Sequence, residues 1–142
     1  MKFDYYKFPL PKKSDFFGSS VLRPIIPISI STDSYPVRYL ALIDSGADFC
    51  IFDAEIGEVI GLDVKSGKLE TFSGIQPGKP TECYLHEVTI NIGGHNYKTI
   101  VAFSYHISTK GYGILGQKGF FDLFKVSFEY QKERIEIQEK RG

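Results

Sequence analysis

Asp44 is the residue in this chain whose setting asks for a chemical explanation. It directly follows Leu40-Ala41-Leu42-Ile43, the fully apolar second half of the strand Val37 to Ile43 (VRYLALI), and opens the block Asp44-Ser45-Gly46-Ala47-Asp48. Burial disfavours the charged form of a carboxylate, so an acid at the end of an apolar strand is costly unless it is hydrogen-bonded or used. Ser45 places a hydroxyl beside it that can both donate and accept. Gly46 allows a sharp backbone turn and the close approach of a substrate. Taken alone, Asp-Ser-Gly is ordinary turn vocabulary and reads more often as a turn than as a catalytic centre.

Other reactive side chains offer less. Cys50 lies in an apolar stretch with no visible base near it, so it reads as a core thiol and not as a nucleophile. Cys50 and Cys83 make neither a disulfide framework nor a metal pattern, and His86, His95 and His106 show no zinc spacing with them. His86 and His95 fall on a hairpin and read as surface or half-buried residues. Gly93-Gly94-His95 is a turn, since no helix follows to make it a phosphate loop. Lys12-Lys13 reads as a solvated pair. No metal and no cofactor is expected.

The elements that must position Asp44 are short strands. Ile25–Ile30 (IIPISI) and Val37–Ile43 flank turn residues 32–36 as a hairpin, with Pro27 suggesting an edge. Phe49–Phe52 is a short apolar strand. Asp53–Ile60 predicts a short helix with Asp53 as N-cap, weakened by Gly57. Residues 68–85 predict a long hairpin around the turn-rich Ser73–Pro80. His86–Ile92 and Tyr97–Phe103 flank Gly93-Gly94 as another hairpin. Gly111–Gly116 (GYGILG) is a glycine-bounded strand. Phe120, Phe121 and Phe124 have helical spacing, so Gln117–Phe124 predicts a second short helix. Lys125–Tyr130 and Arg134–Gln138 close the chain as a hairpin. Residues 1–20 read as an irregular arm and 21–142 as a single domain.

Composition agrees with that inventory. The chain has 142 residues, enough for one domain with its own core, and 15% aromatic residues with 14 Gly, a mix that favours strands and tight turns. The 17 basic and 17 acidic side chains balance, so no global field draws the chain to nucleic acid or to an anionic membrane. No apolar run suits a membrane helix, and the first residues lack the apolar region of a secretory signal. A reducing, cytoplasmic setting is the expectation.

In this order and spacing, the LALIDSGAD block, the hairpin around Ser73–Pro80, the Ile114-Leu115-Gly116 strand leading into Gln117–Phe124, and the terminal FKVSFEYQKERIEI hairpin resemble a retropepsin-like aspartyl protease of the single-domain bacterial or retroviral type. The resemblance covers roughly residues 24–138. It implies an all-β fold, a small closed barrel with one short helix near the C-terminal end. It implies a homodimer that cuts a peptide or protein substrate, because only one Asp-Ser-Gly motif is present per chain. Asp44 then matches the catalytic aspartate, and Ser45 and Gly46 its supports. Ala47 and Asp48 match substrate-binding positions, and Gly74 and Ile75 fall near the tip of a flap. Retroviral members usually carry an arginine after the glycine of the second apolar strand, paired with the acid matched here by Asp48. This chain has Gln117 there. Two further readings stand beside the protease: a catalytically inactive retropepsin-like module that binds a peptide or protein partner, and a β-sandwich binding protein in which Asp-Ser-Gly is coincidental.

Overall fold

The computed structural model describes residues 1–73, 77–107 and 111–140. Among them are twelve strands, one α-helix and one 3-10 turn. Six strands close a barrel: β4 (Ile25–Ser31), β5 (Val37–Ile43), β10 (Gly113–Leu115), β6 (Ile51–Asp53), β9 (His95–Ser104) and β8 (Thr81–Ile92). Closure is made where Ser29, Ile30 and Ser31 of β4 pair with Asn91, Ile90 and Thr89 of β8. Pro27 lies in the part of β4 that has only β5 beside it, where a missing N–H leaves no ladder bond unmade.

Eight of the ten strand pairs among the described residues are antiparallel, and five of these are hairpins, four of them predicted by the turn spacing. The other two pairs are not antiparallel. β10 runs parallel to β5, and β6 runs parallel to β9. Those pairings insert β10, distant in sequence, between β5 and β6. The end of β5, which carries Asp44, is thereby braced from the far end of the chain.

The strands read as Thr81–Leu85 and His86–Ile92 form one twelve-residue strand. Its first half pairs with β7 (Lys68–Phe72) and its whole length from Tyr84 onward pairs with β9. At Gly93 and Gly94, φ values of 58° and 87° give the turn that the sequence predicts, a conformation L-residues with side chains avoid.

The helix is α1 (Ala54–Val59), in the middle of the chain. Asp53 caps it, accepting from the N–H of Glu55 at 3.0 Å. Gly57, unfavourable for a helix, is explained by packing: a Cβ there would lie 2.9 Å from Phe103 and 3.0 Å from Val64. The helix expected near the C-terminal end does not form. Residues 117–123 are a chain of turns, because Gly119 has φ 101° and its N–H is taken by the Asp122 carboxylate at 2.9 Å. The helical spacing of Phe120 and Phe124 is nonetheless used, since both are buried in the core.

Residues 1–20 are not irregular. β1 (Lys2–Asp4) adds to β12 (Arg134–Glu139), which pairs with β11 (Phe124–Glu129) in a three-stranded sheet. β2 (Tyr6–Ser14) and β3 (Gly18–Arg23) form a separate two-stranded ribbon. The polar punctuation of this segment hides its pairing from a periodicity reading, since Pro9, Pro11 and a bulge between Pro9 and Ser14 interrupt the alternation. A single core joins barrel and terminal sheet: Ile26, Ile30, Phe52, Ile90, Phe103, Leu115, Phe120, Ile135 and Ile137 are all sealed from solvent within it.

Candidate active site

The site is built on the crossing of two loops. β5 delivers Asp44, whose N–H donates to the carbonyl of Leu115 at the end of β10, 3.0 Å away. The chain then turns back on itself. The N–H of Ala47 donates to the Asp44 carbonyl at 3.1 Å, and the N–H of Gly46 donates to the Asp44 side chain (Oδ1) at 2.9 Å. One carboxylate oxygen is thus held by backbone, while the side chain stays half-buried. Full burial, the expectation from the apolar strand, does not occur in the single chain. At Gly46 a Cβ would stand 3.2 Å from Asp44 Oδ1, so glycine keeps the carboxylate uncrowded.

The second loop, residues 116–118, clamps the first. Gln117 N–H donates to Ala47 O at 2.8 Å, and Lys118 N–H to Asp48 O at 2.9 Å. The Gln117 side chain (Nε2) donates to the Ser45 carbonyl at 2.6 Å. The loops approach so closely that a Cβ at Gly116 would lie 2.3 Å from the Phe49 carbonyl oxygen and 2.8 Å from that of Ala47. Gln117 therefore does not replace the family's arginine as a partner for Asp48. It bonds the backbone next to Asp44, and among the described residues Asp48 forms no ion pair.

Asp44, Gly46, Ala47 and Asp48 form one wall of an open cleft of about 610 Å³. Ile51 and Ile114 stand beside them with Phe49. The opposite side comes from the β7–β8 hairpin: Thr71, Phe72, Ser73 and Pro80. Phe49 and Phe72 meet edge to face across it, ring centroids 5.9 Å apart. Such a trough has an acid on one wall and apolar side chains beside and opposite it. It suits an extended peptide, whose main chain would bond to backbone while alternate side chains enter the apolar recesses.

The structure thus brings Asp44, Gly46, Ala47 and Asp48 together at the cleft. Ser45 is exposed beside them and is held through its carbonyl. Gly74 and Ile75 lie outside the described residues. Sequence reasoning did not single out Ile51, Thr71, Phe72 and Ile114 for the site. Each sits on an apolar or alternating strand, and nothing local distinguishes a cleft wall from a core position. The thiol of Cys50 is a structural feature, as expected. It is fully buried, accepts from the N–H of Gly116 at 3.4 Å, and contacts the Lys118 carbonyl at 3.7 Å. Burial pushes its pKa up to about 12, with Gly116 opposing and Asp122 adding to the rise. His86 bonds the Val64 carbonyl at 2.7 Å and His95 stands 3.3 Å from Glu139, both away from the cleft. Among the described residues no cluster of His, Cys, Asp and Glu could hold a metal ion.

No protein-family model and no curated protein matches the sequence. Solved structures do match the fold. A retropepsin-like aspartic protease from Rickettsia conorii superposes with a TM-score of 0.57 at 15% identity, over 80% of this chain and 89% of that one. EIAV protease complexed with the inhibitor HBY-793 matches with a TM-score of 0.45 at 24% identity, over 67% of this chain and 82% of that one. The fold of the chain is that of the retropepsin-like aspartic proteases.

Proposed function

We propose that the protein is an aspartic-type endopeptidase that works as a homodimer, each chain supplying one Asp44. The observation that carries this reading is the placement of Asp44. It stands on a braced loop in one wall of a peptide-sized cleft in a retropepsin-like fold, half-buried and held by backbone through one carboxylate oxygen.

Two carboxylates brought within a few ångströms cannot both ionise, so they share a proton, the behaviour for which aspartic-protease dyads are the standard case. A water between them loses a proton to the ionised carboxylate as its oxygen attacks the scissile carbonyl. The protonated carboxyl donates to the carbonyl oxygen as that oxygen gains charge. Collapse of the tetrahedral species breaks the C–N bond, and a proton passes to the leaving nitrogen. No covalent enzyme intermediate is needed. The two acidities belong to the pair and not to either residue.

Within each chain the supporting roles follow from position. Gly46 orients the carboxylate by its N–H. Ser45, exposed next to Asp44, is placed to bond across to the second chain. Ala47 and Asp48 bind substrate along the cleft wall. The β7–β8 hairpin acts as the flap and excludes water on closing, with Gly74 and Ile75, outside the described residues, as the tip positions that the resemblance implies. The two cysteines are free and buried, which fits a reducing, cytoplasmic setting. The decisive comparison is a peptide-library cleavage assay from acidic to neutral pH on wild type and Asp44→Asn. Cleavage by the wild type alone is expected, with circular dichroism unchanged between the two. Equal cleavage by both would move the chemistry to another residue. Peptide binding without cleavage by either would favour the inactive binding module.

A further inference from the structure

Among the described residues the β2–β3 ribbon is a two-stranded sheet with no third strand. An isolated ribbon of this kind is marginally stable in water unless something covers it. Alternation puts Tyr6, Phe8 and Leu10 on one face, with Val21 opposite Phe8 and the Arg23 guanidinium 4.5 Å from the Phe8 ring centroid. The tip is built, not frayed. Ser14 Oγ accepts from the N–H groups of Phe16 and Phe17, each at 3.1 Å, and Gly18 takes φ 82° to close the turn. This turn holds out two large apolar rings. Phe16 is 87% exposed and Phe17 53%, stacked edge to face at 4.8 Å. Within the single chain the rings border only an open recess with Leu22, Tyr130 and Glu133, beside an exposed Lys7–Glu133 ion pair at 3.9 Å, and both rings stay more than half exposed.

The root of the ribbon locates its partner. Pro24, next after β3, accepts through its carbonyl from the N–H of Ile43 at 2.9 Å, and Ile43 precedes Asp44. The ribbon therefore springs from the side of the barrel where a second copy must approach for two Asp44 side chains to meet. Next to the cleft, sharing Asp48 and Phe49 with it, lies an apolar groove of about 570 Å³. Leu85, Ile100 and Leu123 line it, and no residue of the ribbon does. Ile100 is 57% exposed there. Charge complements shape. Residues 6–23 carry four cations and one acid, whereas the groove is bordered by three acids, Asp48, Glu70 and Asp122, against two lysines. Nine residues of strand reach about 30 Å, ample to cross an interface.

We propose that the ribbon is a dimer arm: in an assembly of two copies, each arm crosses to the other copy and seats Phe16 and Phe17 in that copy's apolar groove. The inference rests on the pairing of two Asp44 side chains proposed above. It names a second copy of this chain as the occupant. Two measurements on the full chain test it. Sedimentation is compared for wild type and the double variant Phe16→Ser/Phe17→Ser, whose exposed positions leave the fold unaffected by circular dichroism. The dimer dissociation constant should rise about tenfold or more, as expected for removing two buried rings per arm. Separately, a Phe16→Cys chain is mixed with a Leu123→Cys chain and oxidised. A disulfide-linked pair should appear on a non-reducing gel, since Cys50 and Cys83 are buried and do not compete. A wild-type dimer with an unchanged dissociation constant in the double variant, and no cross-link in the mixture, would overturn the arm and leave the Asp44 pairing standing. A wild type that sediments as a monomer at every concentration would overturn both.

Discussion

Gly116→Ala is a one-carbon change that should dismantle the site from behind. The glycine needs no unusual φ, so the argument is one of space alone. The added Cβ would sit 2.3 Å from the Phe49 carbonyl oxygen, 2.7 Å from its carbon and 2.8 Å from the Ala47 carbonyl oxygen. All three are backbone atoms, so no side chain can rotate away. The 116–118 loop must shift outward by about 1 Å to restore normal contact. That shift stretches the bonds from Gln117 N–H to Ala47 O and from Lys118 N–H to Asp48 O, now 2.8 and 2.9 Å. Overpacking costs about 1–3 kcal/mol, and each weakened hydrogen bond about 1 kcal/mol. The sum, about 3–5 kcal/mol, is a large share of the stability of an ordinary domain. Urea unfolding should show the midpoint falling by at least about 1 M. Gln117→Ala is the control. It removes one exposed side-chain bond to Ser45 O and leaves the backbone lattice intact, so its cost should stay within about 1 kcal/mol. Equal midpoints for Gly116→Ala and wild type would refute the crowding argument. Equal losses in the two variants would mean that the side-chain bond, and not the loop contact, holds the site.

Further outcomes follow from the same geometry. Gln117→Ala should lower kcat against a cleavable peptide by about tenfold with little change in KM, because it loosens the backbone beside Asp44 and not the cleft wall; an unchanged kcat would remove Gln117 from the positioning of Asp44. Cys50 should resist thiol reagents at pH 8 in the folded protein and react on unfolding, since its acidity is pushed from 9.0 to about 12. A thiol whose folded pKa is raised keeps its proton longer when folded, so its contribution to stability is complete below about pH 9 and is lost as pH rises toward 12. Cys50→Ala should therefore flatten the alkaline fall in stability measured by denaturant titration, and a fall of unchanged steepness would show that Cys50 is not its source.

The legible part of the fold was the part with local signals. The glycines at 93 and 94, the Asp53 cap and the apolar strands 25–30 and 37–43 each state their conformation within a few residues. The parallel placement of β10 between β5 and β6 leaves no such mark, because Ile114 and Leu115 read the same beside any neighbour. Phe120, Phe121 and Phe124 misled on helix because a turn series around Gly119 buries Phe120 and Phe124 as a helix would. In residues 1–20 the prolines masked real pairing. At the cleft, Asp44 was legible as an acid after an apolar strand and Gly46 as the turn beside it, whereas Ala47 and Asp48 followed only from the resemblance. Thr71, Phe72 and Ile114 were not legible, for they become cleft wall only when the β7–β8 hairpin and β10 are brought to residues 44–48.

The proposed activity requires that each catalytic centre draw one Asp44 from each of two chains. The direct measurement is peptide cleavage by a fixed amount of wild type mixed with increasing Asp44→Asn chain, after time for the subunits to exchange. Activity per wild-type chain should fall toward zero as the variant is brought to excess, since mixed dimers hold only one carboxylate of the pair. Activity that stays constant per wild-type chain across the whole titration would contradict the shared site.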